Sequence, residues 1–103
     1  MKFFGYFSWM PYEDSNEDFE VYKTFKNAIP KNLVVRHMES LEVWATSLPN
    51  KDYFTGERLQ SGLCEDGDFV FPLDFIHYYK NYDIGIPYEY EEYLIRVLNP
   101  EQL

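Results

Sequence analysis

Apolar and polar positions along the chain fall into short blocks, separated by Pro11, Pro30, Pro49, Pro72, Pro87 and Pro100, and each block has its own period. The first, Lys2 to Trp9, is short and aromatic and predicts a strand whose first residues pair inward. In the next, Asn16, Glu17 and Asp18 offer capping side chains and first-turn carboxylates. Phe19, Tyr22, Phe25 and Ile29 then recur at helical spacing, predicting a helix near 16-28. Leu33 to His37 is β-branched and apolar, and Leu41, Val43 and Ala45 alternate with Glu42, Trp44 and Thr46. One or two strands are expected there, with a helix through Met38 and Leu41 as the alternative.

The second half is punctuated more sharply. Arg58 to Cys64 and Asp68 to Phe71 flank Glu65-Asp66-Gly67, and an Asp-Gly step between β-prone runs predicts a hairpin. Pro72 suits the first position of a helix, with Asp74 in its first turn and Phe75, Ile76, Tyr79 and Tyr82 on one side, giving a helix near 72-82 that stops by Asp83 to Gly85. Pro87 opens another near 87-99, with Glu89 in its first turn and Tyr90, Tyr93, Leu94, Val97 and Leu98 as its apolar stripe. Strands in the middle and helices towards the ends describe an α+β fold with a small antiparallel sheet. The 103 residues suit one domain, 1-103, with one core.

Composition refines this picture. Hydrophobic residues make up 46% of the chain, many of them Tyr and Phe set among carboxylates, which is a globular and not a disordered composition. The longest uncharged apolar stretch, Phe3 to Pro11, is far shorter than the roughly 20 residues that span a bilayer. Trp9, Met10 and Pro11 also lack the aliphatic run and small-residue cleavage site of a leader, so a cytoplasmic protein with no membrane partner is expected. A single cysteine, Cys64, fits a reducing compartment and reads as a small buried side chain.

The net charge of −9 disfavours direct binding of nucleic acid, which requires clustered Lys and Arg, and favours cationic proteins as partners. It is unevenly spread: residues 1-20 carry −4, residues 21-58 carry +2, and residues 59-92 carry −7.

Motifs for chemistry are sparse. Cys64, His77 and Asp74 form the one nucleophile, base and acid set that can be drawn, without any local signature; the plainer reading puts His77 on the polar side of a helix and His37 at a strand end. Carboxylate pairs are numerous because acids are numerous. Glu65, Asp66 and Asp68 have oxygen ligands for calcium but not the spacing of an EF-hand loop, so a solvated turn is the expectation. The glycines form no phosphate-binding loop. No catalytic residue, metal or cofactor is therefore expected.

What stands out is the acidic and aromatic surface. Glu65, Asp66, Asp68, Asp74, Tyr78, Asp83, Tyr88, Glu89, Glu91 and Glu92 are the candidate partner-binding residues, with Tyr88, Glu91 and Glu92 placed by helical spacing away from Leu94 and Val97. Tyrosine buries much area at small entropic cost, and neighbouring carboxylates add charge selectivity. The alternative for any single residue is a solvated helix face.

The acidity, the size and the segments Asp66-Gly67-Asp68-Phe69-Val70-Phe71-Pro72 and Pro87-Tyr88-Glu89-Tyr90-Glu91 resemble the small acidic immunity proteins of bacterial toxin systems, including contact-dependent growth inhibition. That resemblance implies binding to a cognate toxin domain, often a nuclease, and occlusion of its active site; it assigns no role to any single position. A phage-type inhibitor that mimics nucleic acid, a small enzyme built on Cys64, His77 or a carboxylate pair, and a homo-oligomeric subunit are the other readings.

Overall fold

The computed structural model describes residues 1-13, 15-45 and 50-98, with the side chain of Ala45 also left aside. Thr46, Pro49, Pro100 and the end of the last expected helix at Asn99 lie outside the described residues. The chain is an α+β structure. Its elements in order are β1 (Lys2–Phe3), α1 (Phe19–Tyr22), α2 (Lys31–Glu39), β2 (Val43–Ala45), β3 (Asn50–Lys51), β4 (Arg58–Leu59), β5 (Gly62–Asp66), β6 (Phe69–Pro72), α3 (Leu73–Asn81) and α4 (Tyr88–Val97).

Four strands form one sheet in the order β1-β6-β5-β2, and β3 with β4 form a separate two-stranded ribbon. The larger sheet is mixed, because β1 runs parallel to β6 while the other pairs are antiparallel. The expected hairpin is β5-β6, and its register sets Asp66 opposite Phe69, leaving Gly67 and Asp68 as a two-residue turn. Gly67 sits at φ 61 and no non-glycine among the described residues has positive φ, the pattern of a type II′ turn with glycine first. A Cβ on Gly67 would also lie 2.8 Å from the ring of Tyr93, whereas one on Gly56, at φ 75, would meet nothing. Gly67→Ala should therefore cost about 1–2 kcal/mol, and more than Gly56→Ala, which bears only the backbone strain. Urea unfolding of the two variants checks this; equal losses would remove the Tyr93 contact from the account.

Residues opposed in register share a face of a sheet. Cys64 and Phe71 are opposed, both fully buried, and mark the inner face, against which α3 lies. The core there is largely aromatic: Phe4, Phe7, Phe71, Phe75, Tyr78, Tyr79 and Tyr90 are buried together. Phe4 makes ring contacts with Phe69, Phe71, Phe75 and Tyr90 at centroid distances of 4.8–6.1 Å. The expected first strand is confined to Lys2–Phe3, since the chain leaves the sheet to bury Phe4, Phe7 and Met10.

Two elements differ from the reading of the sequence. Leu33 to His37 lies within helix α2, not a strand, with Val34, Val35 and Met38 buried at helical spacing and Arg36 and His37 in the last turn, where they complement the helix dipole. Burial of that stripe outweighs the β preference of the paired valines. The helix expected near 16-28 is a single turn. It is capped by Asp18, whose side chain accepts from Glu20 N, and beyond it Lys26 N, Ala28 N and Ile29 N are bonded to side chains of α4 instead of to a preceding helical turn. Helices α3 and α4 follow the expected spans closely, with Pro72 and Pro87 as the residues just before the first helical position.

A candidate interaction surface and the polar groups beneath it

Four of the ten candidate partner-binding residues lie inside the protein. Asp66 is buried and accepts three side-chain hydrogen bonds, from His37 Nε2 at 2.8 Å, Tyr90 OH at 2.7 Å and Tyr93 OH at 3.0 Å. Burial alone would raise its carboxyl, but the bonds from His37 and Tyr90 hold it below the usual carboxylate range. Asp74 is buried and accepts from Tyr12 OH at 2.9 Å and from Asn50 Nδ2; here burial wins and pushes the carboxyl up. Tyr78 is fully buried, its hydroxyl accepting from Trp9 Nε1 and Tyr53 N.

Glu91 is buried because its carboxylate receives Ala28 N at 2.7 Å, Ile29 N at 3.0 Å and Asn27 Nδ2 at 3.1 Å. The buried side of α4 is thus Tyr90, Glu91 and Leu94, and Val97 is exposed, a rotation from the stripe that hydropathy suggests. These corrections share one cause. An aromatic core rich in tyrosine, and a strapped segment at 25-30, bring hydroxyls and amides inside, and each needs an acceptor. Acidic letters supply them.

The other six are exposed but do not form one patch. Lys2 N donates to the Asp68 carbonyl at 2.7 Å while Lys2 Nζ lies 3.4 Å from Glu89, so Asp68 and Glu89 share the β1 edge, with Glu92 one helical turn beyond Glu89. Tyr88 is half exposed and its hydroxyl accepts from Lys26 N. Asp83 lies in the connection between α3 and α4, and its charge acts on Lys31. Glu65 faces outward from β5, in the same cross-strand row as Val70 and Phe3.

Asp52 is not among the expected site residues. It is buried and accepts from His77 Nε2 at 2.6 Å, Tyr82 OH at 2.8 Å, Phe54 N at 2.7 Å and Thr55 N at 3.0 Å. Burial pushes its carboxyl up, but the bonds from His77 and Tyr82 outweigh that and lower it, while Tyr82 is pushed up to about 12. This cluster pins the β3-β4 ribbon to α3. Its only signal in the sequence is that Asp52 opens the turn ending at Gly56.

His77 therefore serves Asp52 and not Cys64. Cys64 is buried as expected, and burial, with Asp66 and Asp74 nearby, pushes its thiol up to about 11, far from a reactive thiolate. Among the described residues no group of three or more His, Cys, Asp or Glu is placed to hold a metal ion, and no helix is long and apolar enough to cross a membrane.

Three hollows remain. A cleft of about 850 Å³ between α3 and β4 is lined by Arg58 and Lys80 together with Glu39 and Asp74, over an apolar floor that includes Met38, Leu59 and Ile76. Next to it, Lys31, Arg36 and Lys80 line a second hollow with Glu39, which pairs with Lys80 at 3.8 Å. At the outer face of the sheet, Phe3, Tyr6, Tyr12 and Leu63 line a groove of about 660 Å³ edged by Glu13, Asn16 and Glu17. No family model matches the chain, and neither the curated proteins nor the solved structures contain a significant match to it.

Proposed function

We propose that this chain is an immunity-type inhibitor that binds a cationic toxin domain, such as a nuclease, and blocks its active site. The observation that carries this reading is the unneutralised acid on its surface. Glu13, Glu42, Glu65, Asp68, Asp83 and Glu92 are exposed, and none makes an ion pair among the described residues. Exposed aromatics accompany them, including Phe3, Trp44 and Tyr88. A nuclease presents a cationic cleft to the phosphate backbone, and carboxylates with tyrosine hydroxyls are substitutes for those phosphates. The resemblance to small acidic immunity proteins supports the same role, and with it a cytoplasmic site of action.

Such a pair associates under electrostatic steering. Co-purification with the product of the neighbouring gene identifies the partner, and stopped-flow mixing measures the rate. Association should slow by about tenfold or more as ionic strength rises from about 50 to about 500 mM. A rate indifferent to salt would contradict the reading.

A further inference from the structure

We propose that the outer face of the sheet is the docking surface, and that it takes an extended partner segment alternating basic with apolar side chains. The inference rests on the reading above and assigns it a place. The strand register puts Phe3, Val70 and Glu65 in one cross-strand row and Trp44, Leu63 and Pro72 in the next, all on the face opposite Cys64 and Phe71. An outer face left to water alternates to polar residues. Here it is apolar instead: Val70 and Pro72 are buried within the protein, Leu63 is partly covered, and on the two edge strands Phe3 is 64% and Trp44 61% exposed.

The groove over this face continues the apolar surface across Tyr6 and Tyr12, whose rings meet edge to face at 5.8 Å. Its charges are all of one sign. Glu13 and Glu17 edge it, Glu65 extends the row of Phe3, and among the described residues no Lys or Arg lines it. Glu17 is held in place by bonds from Tyr6 N at 3.0 Å and Tyr22 OH at 2.7 Å, so its carboxylate is fixed before any partner arrives. The hollow richest in basic side chains, with Lys31, Arg36 and Lys80 beside Glu39, lies elsewhere, on α2 and α3. A second copy of this chain is a poor occupant, because it would set the same carboxylates against one another on a molecule of charge −9. A cationic segment satisfies both features at once: its basic side chains meet the glutamates and its apolar ones cover Phe3, Leu63 and Trp44.

The experiment uses three synthetic eight-residue peptides, alternating lysine with valine, lysine with glycine, and glutamate with valine, titrated into the isotope-labelled full chain and followed by amide and indole NMR shifts. The lysine-valine peptide should bind at least about tenfold more tightly than the other two and shift the amides of β1 and β5 together with the Trp44 indole. Trp44→Ser and Phe3→Ser, both at exposed positions, should each weaken it about tenfold, while Tyr53→Ser, an exposed aromatic on the β3-β4 ribbon, leaves binding unchanged. Shifts confined to α2 and α3, equal binding of the lysine-glycine peptide, or no binding would each overturn the docking surface. A partner whose association is indifferent to salt overturns the inhibitor reading independently, and a dimer by sedimentation that buries Trp44 assigns the face to a second copy instead.

Discussion

Asp66→Asn should lower stability by about 2–3 kcal/mol at neutral pH, although a reader of the sequence would place it in a solvated turn. Oδ2 of Asp66 receives both His37 Nε2 and Tyr90 OH, and Oδ1 receives Tyr93 OH. An amide must turn its NH₂ towards one set of these donors, so at least one charge-assisted bond is lost and one donor faces another. The pH dependence has a definite sign. The folded-state carboxyl is held below the ordinary value near 3.9, so the unfolded chain takes up a proton first as the solution is acidified. The stability that Asp66 contributes is full above about pH 5 and is lost as pH falls through the folded-state value, below about 4. Urea midpoints followed by circular dichroism across that range should converge for the two proteins. A gap that stays constant into acid would mean that Asp66 acts through packing.

Glu91→Ala is expected to cost about 3 kcal/mol, and Glu92→Ala less than about 0.5. The two are neighbours in the sequence with the same side chain, yet Glu91 carries the Ala28 and Ile29 amides and Glu92 is exposed. Removing the Glu91 carboxylate strands those two N–H groups and frees the 25-30 strap from α4. Hydrogen exchange at Ala28 and Ile29 should accelerate by the same free energy as the loss of global stability or more. If both variants unfold at the wild-type denaturant concentration, the strap is held by its side chains alone.

The contrast between these two glutamates marks how far the sequence could be read. Hydrophobic period, proline placement and the Asp-Gly step located α3, α4 and the β5-β6 hairpin; in α3 the apolar stripe is also the buried one, whereas α4 has the expected span but buries Glu91 and exposes Val97. They failed at Leu33 to His37 and at Thr24 to Ile29, where the outcome was set by distant groups: the packing of α2 on α3, and the acceptors that α4 offers to the strap. The candidate surface was legible in its chemistry and not in its address. Counting acids identified an acidic, tyrosine-rich protein, but could not tell a carboxylate that faces water from one that faces a tyrosine. The outer sheet face escaped notice for a related reason. Phe3, Trp44 and Leu63 come from three separated strands, and only the register sets them together on the opposite side from Cys64.

The parallel pairing of β1 with β6 also governs the order in which the structure can form. Lys2 and Phe3 sit beside Phe69 and Val70, so during synthesis this strand leaves the ribosome and has no partner until the β5-β6 hairpin has followed it out. Closing so long a loop is slow, and Phe4, whose ring partners Phe69, Phe71, Phe75 and Tyr90 lie in or beyond that hairpin, stays uncovered in the meantime, while Phe7 finds Phe19 and Tyr22 close by in the chain. Burial of Phe4 therefore belongs to the late stages of folding, and until then the newborn chain carries that ring bare.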